Sequence, residues 1–162
     1  MGTLEQRYAQ GRVGRFAPAA TVEIAAPIET VWGILVDFGN YHAWNRFTPS
    51  VVCSGELGAS VEMQVCFPGA RPRRQVEVLN VLEPPHRLAW GVIMGTSAIL
   101  VANRYQRLEA LGDTCTRYTT IDYVSGLLAP VVKLLYAEPM RAGFQLAADG
   151  LKRCAEAAAQ GG

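Results

Sequence analysis

Residues 21–45, TVEIAAPIETVWGILVDFGNYHAWN, constrain this chain more than any other stretch. Alternation over Ala20–Ala25 predicts a strand, with Val22 and Ile24 on one face. Pro27 follows at once and suits the first turn of a helix, where a missing N–H costs nothing. Ile28, Val31, Trp32 and Leu35 then recur at helical spacing and give an apolar stripe toward a core. Gly39-Asn40 is read as the end of that helix, and Tyr41–Asn45 as a second, very short one.

What comes next is a run of strands. Val61, Met63, Val65 and Phe67 alternate with Ser60, Glu62, Gln64 and Cys66, a clear two-residue period. Gln75–Leu82 reads as another strand, stopped by Pro84-Pro85. Leu88, Trp90, Val92 and Met94 alternate again, and Gly95-Thr96-Ser97 signals a turn. Ile99–Leu108 and Thr116–Val124 form two longer strands, joined through Leu111-Gly112-Asp113 as a hairpin. The last segment, Leu127–Ala159, is helical, with Val131, Leu134, Leu135, Met140, Phe144, Leu151 and Ala155 on its apolar side. Pro139 lies inside it and predicts a kink. Consecutive strands closed by one long helix predict an α+β chain with a curved antiparallel sheet around that helix.

At 162 residues, half of them apolar and 18% charged, the chain reads as one domain with a real core, preceded by a loose arm over residues 1–18 that holds a helical turn around Leu4–Gln10. A net charge of +1 gives no reason to expect nucleic acid or a membrane surface as the main partner. The knot Arg71, Arg73, Arg74 reads as a solvated loop. The four cysteines, Cys53, Cys66, Cys115 and Cys154, lack metal or redox spacing, and three are placed in strands as small buried groups. With no signal peptide or membrane-length apolar run, a cytoplasmic location is expected.

The stretch Ile24–Asn45, together with Thr116-Arg117, Ser125–Pro130, Arg141–Phe144 and Leu151-Lys152, resembles the START-like superfamily, in its polyketide cyclase/dehydrase and lipid-transport group. The resemblance covers residues 19–156. It implies the helix-grip fold: one strand, two short helices, six more antiparallel strands and a long C-terminal helix, within a single domain over residues 19–159. It also implies an internal apolar cavity between that helix and the sheet.

No catalytic signature, metal cluster or phosphate loop is present, so neither a metal nor a nucleotide cofactor is expected. His86 reads as a loop residue. His42 is a weak acid/base candidate, with a surface or capping role as the plainer reading. Trp44 is expected to pack, and Asn45 to hold a turn through its side chain. Met63, Phe67, Trp90, Met94, Tyr105, Tyr123, Tyr136, Met140 and Phe144 are the candidates to line a ligand pocket; the alternative is that they fill a core. Arg104, Asp122 and Tyr123 are weak catalytic candidates, since Arg or Tyr can polarise a ketone and Asp or His can remove an α-proton. Alternation puts Arg104 and Tyr105 on opposite faces. A cross-strand ion pair on the convex face is the plainer account of the charges.

Three functions are therefore weighed. The first is a binding or carrier protein for a hydrophobic small molecule, aromatic or polyketide- or lipid-like. The second is a cyclase, aromatase or dehydratase. The third is an interaction module with a filled core. A homodimer is compatible with each.

Overall fold

The structure, a computed structural model, describes residues 3–9 and 16–161. Helix α1 (Leu4–Ala9) precedes strand β1 (Ala19–Ile24). Helix α2 (Ile28–Val36) follows, then a 3-10 helix (Phe38–Ala43). Six strands come next: β2 (Ser50–Val52), β3 (Ser60–Val65), β4 (Arg73–Glu83), β5 (Arg87–Met94), β6 (Leu100–Gly112) and β7 (Cys115–Ser125). Helix α3 (Ala129–Gln160) closes the chain.

The seven strands form one sheet in the order β1-β7-β6-β5-β4-β3-β2. Every pairing is antiparallel. From β2 to β7 each strand pairs with its chain neighbour, as short turns dictate. The exception is β1, which crosses to the far edge and pairs with β7, Ala19 opposite Ile121. Helix α2 and the 3-10 helix therefore carry the chain from one edge of the sheet to the other.

Pro27 caps α2 from outside, at φ −59° and ψ 150°. Ile28, Val31 and Leu35 are buried, as the stripe predicts, while Trp32 is half-buried. The helix stops at Val36, three residues before the expected Gly39-Asn40, because Phe38–Ala43 tightens into 3-10 geometry. There Asn40 Nδ2 donates to Asp37 Oδ2 (2.7 Å) and Tyr41 Oη donates to the Leu35 carbonyl (2.6 Å). Asn45 Oδ1 accepts from the Thr48 N–H at 2.8 Å and holds the turn into β2. Trp44 is buried against Tyr41, with ring centroids 4.6 Å apart.

The main core lies between the sheet and α3, from Ile24 and Leu35 through Leu79, Leu88 and Trp90 to Phe144, Leu151 and Ala155. A smaller cluster, Val81, Ala89 and Tyr105 with Ile121 and Tyr123, covers the opposite face. Beside it a buried amide pair closes on itself, Asn80 Nδ2 donating to Asn103 Oδ1 at 2.8 Å. Within the stretch read as a loose arm, Tyr8 and Phe16 are buried, and α1 touches β4, β5 and β6; residues 10–15 of that stretch lie outside the described residues.

One expectation on α3 changes. Helix α3 runs unbroken from Ala129 to Gln160 through Pro139; the missing N–H falls opposite the carbonyl of Leu135, an exposed residue that water can serve. The change is that Val131, Leu134 and Leu135 are not on the core side. They are 52%, 85% and 59% exposed. The inward stripe of that half is Val132, Tyr136 and Met140 instead. Of the cysteines, all half-buried free thiols, only Cys115 lies within a strand; Cys53 and Cys66 fall just past the ends of β2 and β3.

Candidate functional site

One row of residues crosses the sheet beneath the first half of α3. Leu79 on β4 pairs with Trp90 on β5, Trp90 with Arg104 on β6, and Arg104 with Asp122 on β7. Side chains directly opposite in an antiparallel ladder share a face. All four therefore point toward α3; Leu79 packs in the core, and Trp90, Arg104 and Asp122 line a pocket of about 250 Å³.

The pocket is mainly apolar. Met63, Val65, Phe67, Val92, Met94 and Leu100 line the sheet side, and Val132, Tyr136, Met140 and Phe144 the helix side. Phe47, from the loop after the 3-10 helix, wedges between them. Its ring meets Phe67 at 5.4 Å and Phe144 at 5.7 Å, both edge-on, a preferred aromatic geometry. Phe47 reaches this position because Gly143 on α3 has no side chain: a Cβ there would lie 2.3 Å from the ring.

Against this wall stands a polar set. Arg104 is 5% exposed. Its Nε donates to Thr120 Oγ1 at 2.8 Å, and its guanidinium lies 4.5 Å from the centre of the Phe144 ring. Its Nη2 has no hydrogen-bond partner. Nor does Asp122 Oδ1, nor Thr48 Oγ1 on the same wall. Glu77, on β4, contributes a further carboxyl to the pocket. Beneath Arg104 the row continues with Gln106, whose Oε1 accepts from Tyr118 Oη at 2.7 Å.

Burial dominates the protonation of the two acids. It pushes Glu77 up to about 8, reinforced by the Asp122 carboxylate and opposed by Arg104. It raises Asp122 to about 6, opposed by Arg104 and then by the Asn103 backbone. Near neutral pH the set holds a guanidinium, a carboxylate and a neutral carboxylic acid. A buried donor or acceptor left unpaired costs about 1–3 kcal/mol, so the empty valences of Arg104, Asp122 and Thr48 call for a polar group inside the pocket.

Of the lining residues, Arg73, Arg74, Gln75 and Met94 are exposed, which puts the mouth at the start of β4 and the end of β5. Arg73 Nη1 donates to Tyr136 Oη across it at 2.7 Å, and Tyr136 stacks at 5.6 Å on Phe67. Arg73 is thus part of the rim rather than of a purely solvated loop.

Seven of the nine pocket candidates read from sequence line this space: Met63, Phe67, Trp90, Met94, Tyr136, Met140 and Phe144. Tyr105 and Tyr123 do not. They pack on each other on the opposite face, with centroids 5.8 Å apart, because alternation places them out of phase with Arg104 and Asp122. That removes Tyr123 as a group acting in the pocket. The convex-face ion pair is also corrected: Arg104 and Asp122 face the pocket and make no ion pair. His42 is exposed, its Nδ1 3.2 Å from the Gly39 carbonyl, and does not reach the pocket. His86 sits exposed in the β4–β5 turn. Sequence reasoning missed Phe47, Thr48 and Glu77. Among the described residues no three His, Cys, Asp or Glu side chains gather as a metal site.

The family model for polyketide cyclase / dehydrase and lipid transport matches residues 17–156. The chain belongs to this family. No curated protein matches its sequence. Solved structures share the family fold at low identity. A Thermus thermophilus protein is 15% identical with a TM-score of 0.69, over 88% of this chain and 99% of that one. A Nitrosomonas europaea protein is 17% identical with a TM-score of 0.66, over 88% and 95%. Norcoclaurine synthase from Thalictrum flavum, in complex with dopamine and hydroxybenzaldehyde, is 14% identical with a TM-score of 0.62, over 86% and 85%. The shared feature is the family's seven-stranded antiparallel sheet with its long C-terminal helix. No described helix is long and apolar enough to cross a membrane.

Proposed function

We propose that this protein binds a compact hydrophobic molecule with one polar end, seated between the sheet and α3. The observation that carries this reading is the apolar pocket with unpartnered polar atoms of Arg104, Asp122 and Thr48 in its wall. The apolar body of the ligand would contact Phe47, Met63, Phe144 and Met140. Its polar end would accept from Arg104 Nη2, as a ketone, phenol or enol does, and a phenol or enol would also donate to Asp122. At about 250 Å³ the pocket lies below the range of roughly 300–1,000 Å³ usual for drug-sized ligands. That favours one or two rings over a pair of acyl chains. Norcoclaurine synthase, on the same fold, holds small aromatics of this scale.

A second reading rests on Glu77 and Asp122. Two carboxyls held at about 8 and about 6 divide into an acid and a base at neutral pH. With Arg104 to polarise a carbonyl, they could serve a cyclase or dehydratase reaction.

Native mass spectrometry of protein from its own host, followed by solvent extraction, tests the binding reading. A stoichiometric apolar compound, retained by the parent and lost from Arg104→Met, is the expected result. Protein that is empty, and gains no thermal stability against quinones, aromatic ketones and phenols, would overturn it. A ligand at about a hundred times its dissociation constant stabilises by about 2.7 kcal/mol, too much to miss. Turnover of a bound ketone, lost in Glu77→Gln and Asp122→Asn, would support the second reading.

A further inference from the structure

The first half of α3 has two apolar stripes. One lines the pocket. The other, Val131, Leu134 and Leu135, continued by Leu127 and Leu128 just before the helix, faces out, with Leu127 76% and Leu134 85% exposed. It is continuous with the β5–β6 turn, since the Leu128 N–H donates to the Ile99 carbonyl at 3.0 Å and Ile99 is itself 40% exposed. Single exposed leucines are ordinary, but a contiguous apolar patch marks a contact surface.

The charges around it decide what it contacts. The Arg73–Tyr136 hydrogen bond ties the start of β4, just past the β3–β4 loop, to this half of α3. Residues 66–75, 94–100 and 125–137 together hold Arg71, Arg73, Arg74 and Lys133; Arg74 is paired with Glu62 at 2.6 Å and Glu138, next on α3, with Arg141, which leaves Arg71, Arg73 and Lys133 as the cations beside the leucines. With the whole chain at +1, the remainder of the molecule is net acidic. An amphipathic surface of leucines flanked by cations, at one end of a molecule that is acidic elsewhere, complements an anionic lipid surface. There the apolar side chains enter the acyl boundary and the cations meet the headgroups.

We propose that this protein docks reversibly on anionic bilayers through the outer face of α3 and the β3–β4 loop, with the pocket mouth toward the lipid. The docked face goes beyond the binding reading and does not depend on what fills the pocket.

Co-sedimentation with vesicles tests it, using phosphatidylcholine alone and phosphatidylcholine mixed with phosphatidylglycerol, with no added ligand. The expected result is partition onto the mixed vesicles, weakened by salt. Arg71→Ala with Lys133→Ala should weaken partition about fivefold per residue. Leu134→Ser with Leu135→Ser should weaken it about tenfold or more per residue. Both pairs should melt with the parent, because their side chains are exposed. Equal binding by parent and variants, or none to the anionic vesicles, would overturn the proposal. Self-association abolished by the leucine substitutions, without vesicle binding, would assign the face to a second copy and overturn it too. Either failure leaves the extraction experiment on the pocket unaffected.

Discussion

A carboxyl that keeps its proton longer in the folded chain than in the unfolded one ties stability to pH. Glu77 does so from its ordinary 4.5 up to about 8. In that window the folded state binds one more proton, so stability falls as pH rises, by at most about 1.4 kcal/mol per pH unit. Asp122 adds the same sign only from its ordinary 3.8 to about 6. The melting temperature should therefore fall between pH 6 and pH 8 in the parent, and Glu77→Gln should flatten the fall. Arg104→Met removes the cation that opposes both shifts. Carboxyl NMR titration of that variant should find Asp122 displaced further up from about 6. The residues behind these effects differ in how far the sequence exposed them. Arg104 and Asp122 stood out as polar residues in apolar strands, and alternation set Arg104 against Tyr105, but it did not say which of the two faces α3, so Tyr105 and Tyr123 stayed among the pocket candidates. Glu77 was hidden because Val76 and Val78 look like the core face of Gln75–Leu82. A register shift between Leu79 and Val81 breaks that alternation, as a bulge does. Leu79 faces α3, Val81 faces away, and Glu77 shares the face of Leu79.

Helix α3 behaves as two elements joined at Pro139. Its second half buries Gly143, Phe144, Ala147, Ala148, Gly150, Leu151 and Ala155, whereas much of its first half faces solvent. Hydrogen exchange should be slow from about residue 143 onward and markedly faster over Val131–Leu135, since local opening follows buried contact. Gly150 shows why the second half sits so close. A Cβ there would lie 2.0 Å from the Trp44 carbonyl oxygen. Gly150→Ala gains about 1 kcal/mol of helix propensity. Overpacking against a backbone group that cannot turn aside costs about 1–3 kcal/mol, and at this distance the upper end applies. A net loss of about 1–2 kcal/mol in urea unfolding is expected. At Gly143 the obstacle is the Phe47 ring, so Gly143→Ala should impair ligand retention more than it lowers the urea midpoint. The order of strands and the extent of α3 were legible because both carry strong periodicity and punctuation. The helix's orientation was not. Leu134 and Val132 belong to two stripes of equal apolar weight, and a period of 3.6 does not distinguish a face turned to a core from one turned to a partner.

At the scale of the whole molecule, the family fold followed from its two ends, the strand–proline–helix opening and the closing helix, which the sequence marks most strongly. The pocket is a product of neither end alone: its walls come from β3 to β7, the loop at Phe47 and α3. The position of β1 has a consequence for how the protein is made. It is synthesised well before its sheet neighbour β7, with Thr21 bonded to Thr119 across 98 positions. At roughly 5–20 residues per second of synthesis, Ile24 and Ala20 wait several seconds for the strand that covers them. The wall formed by α3 arrives later still. A nascent chain thus carries an open sheet with β1 unpaired until β7 is made, and acquires ligand affinity only once α3 closes the pocket rather than gradually.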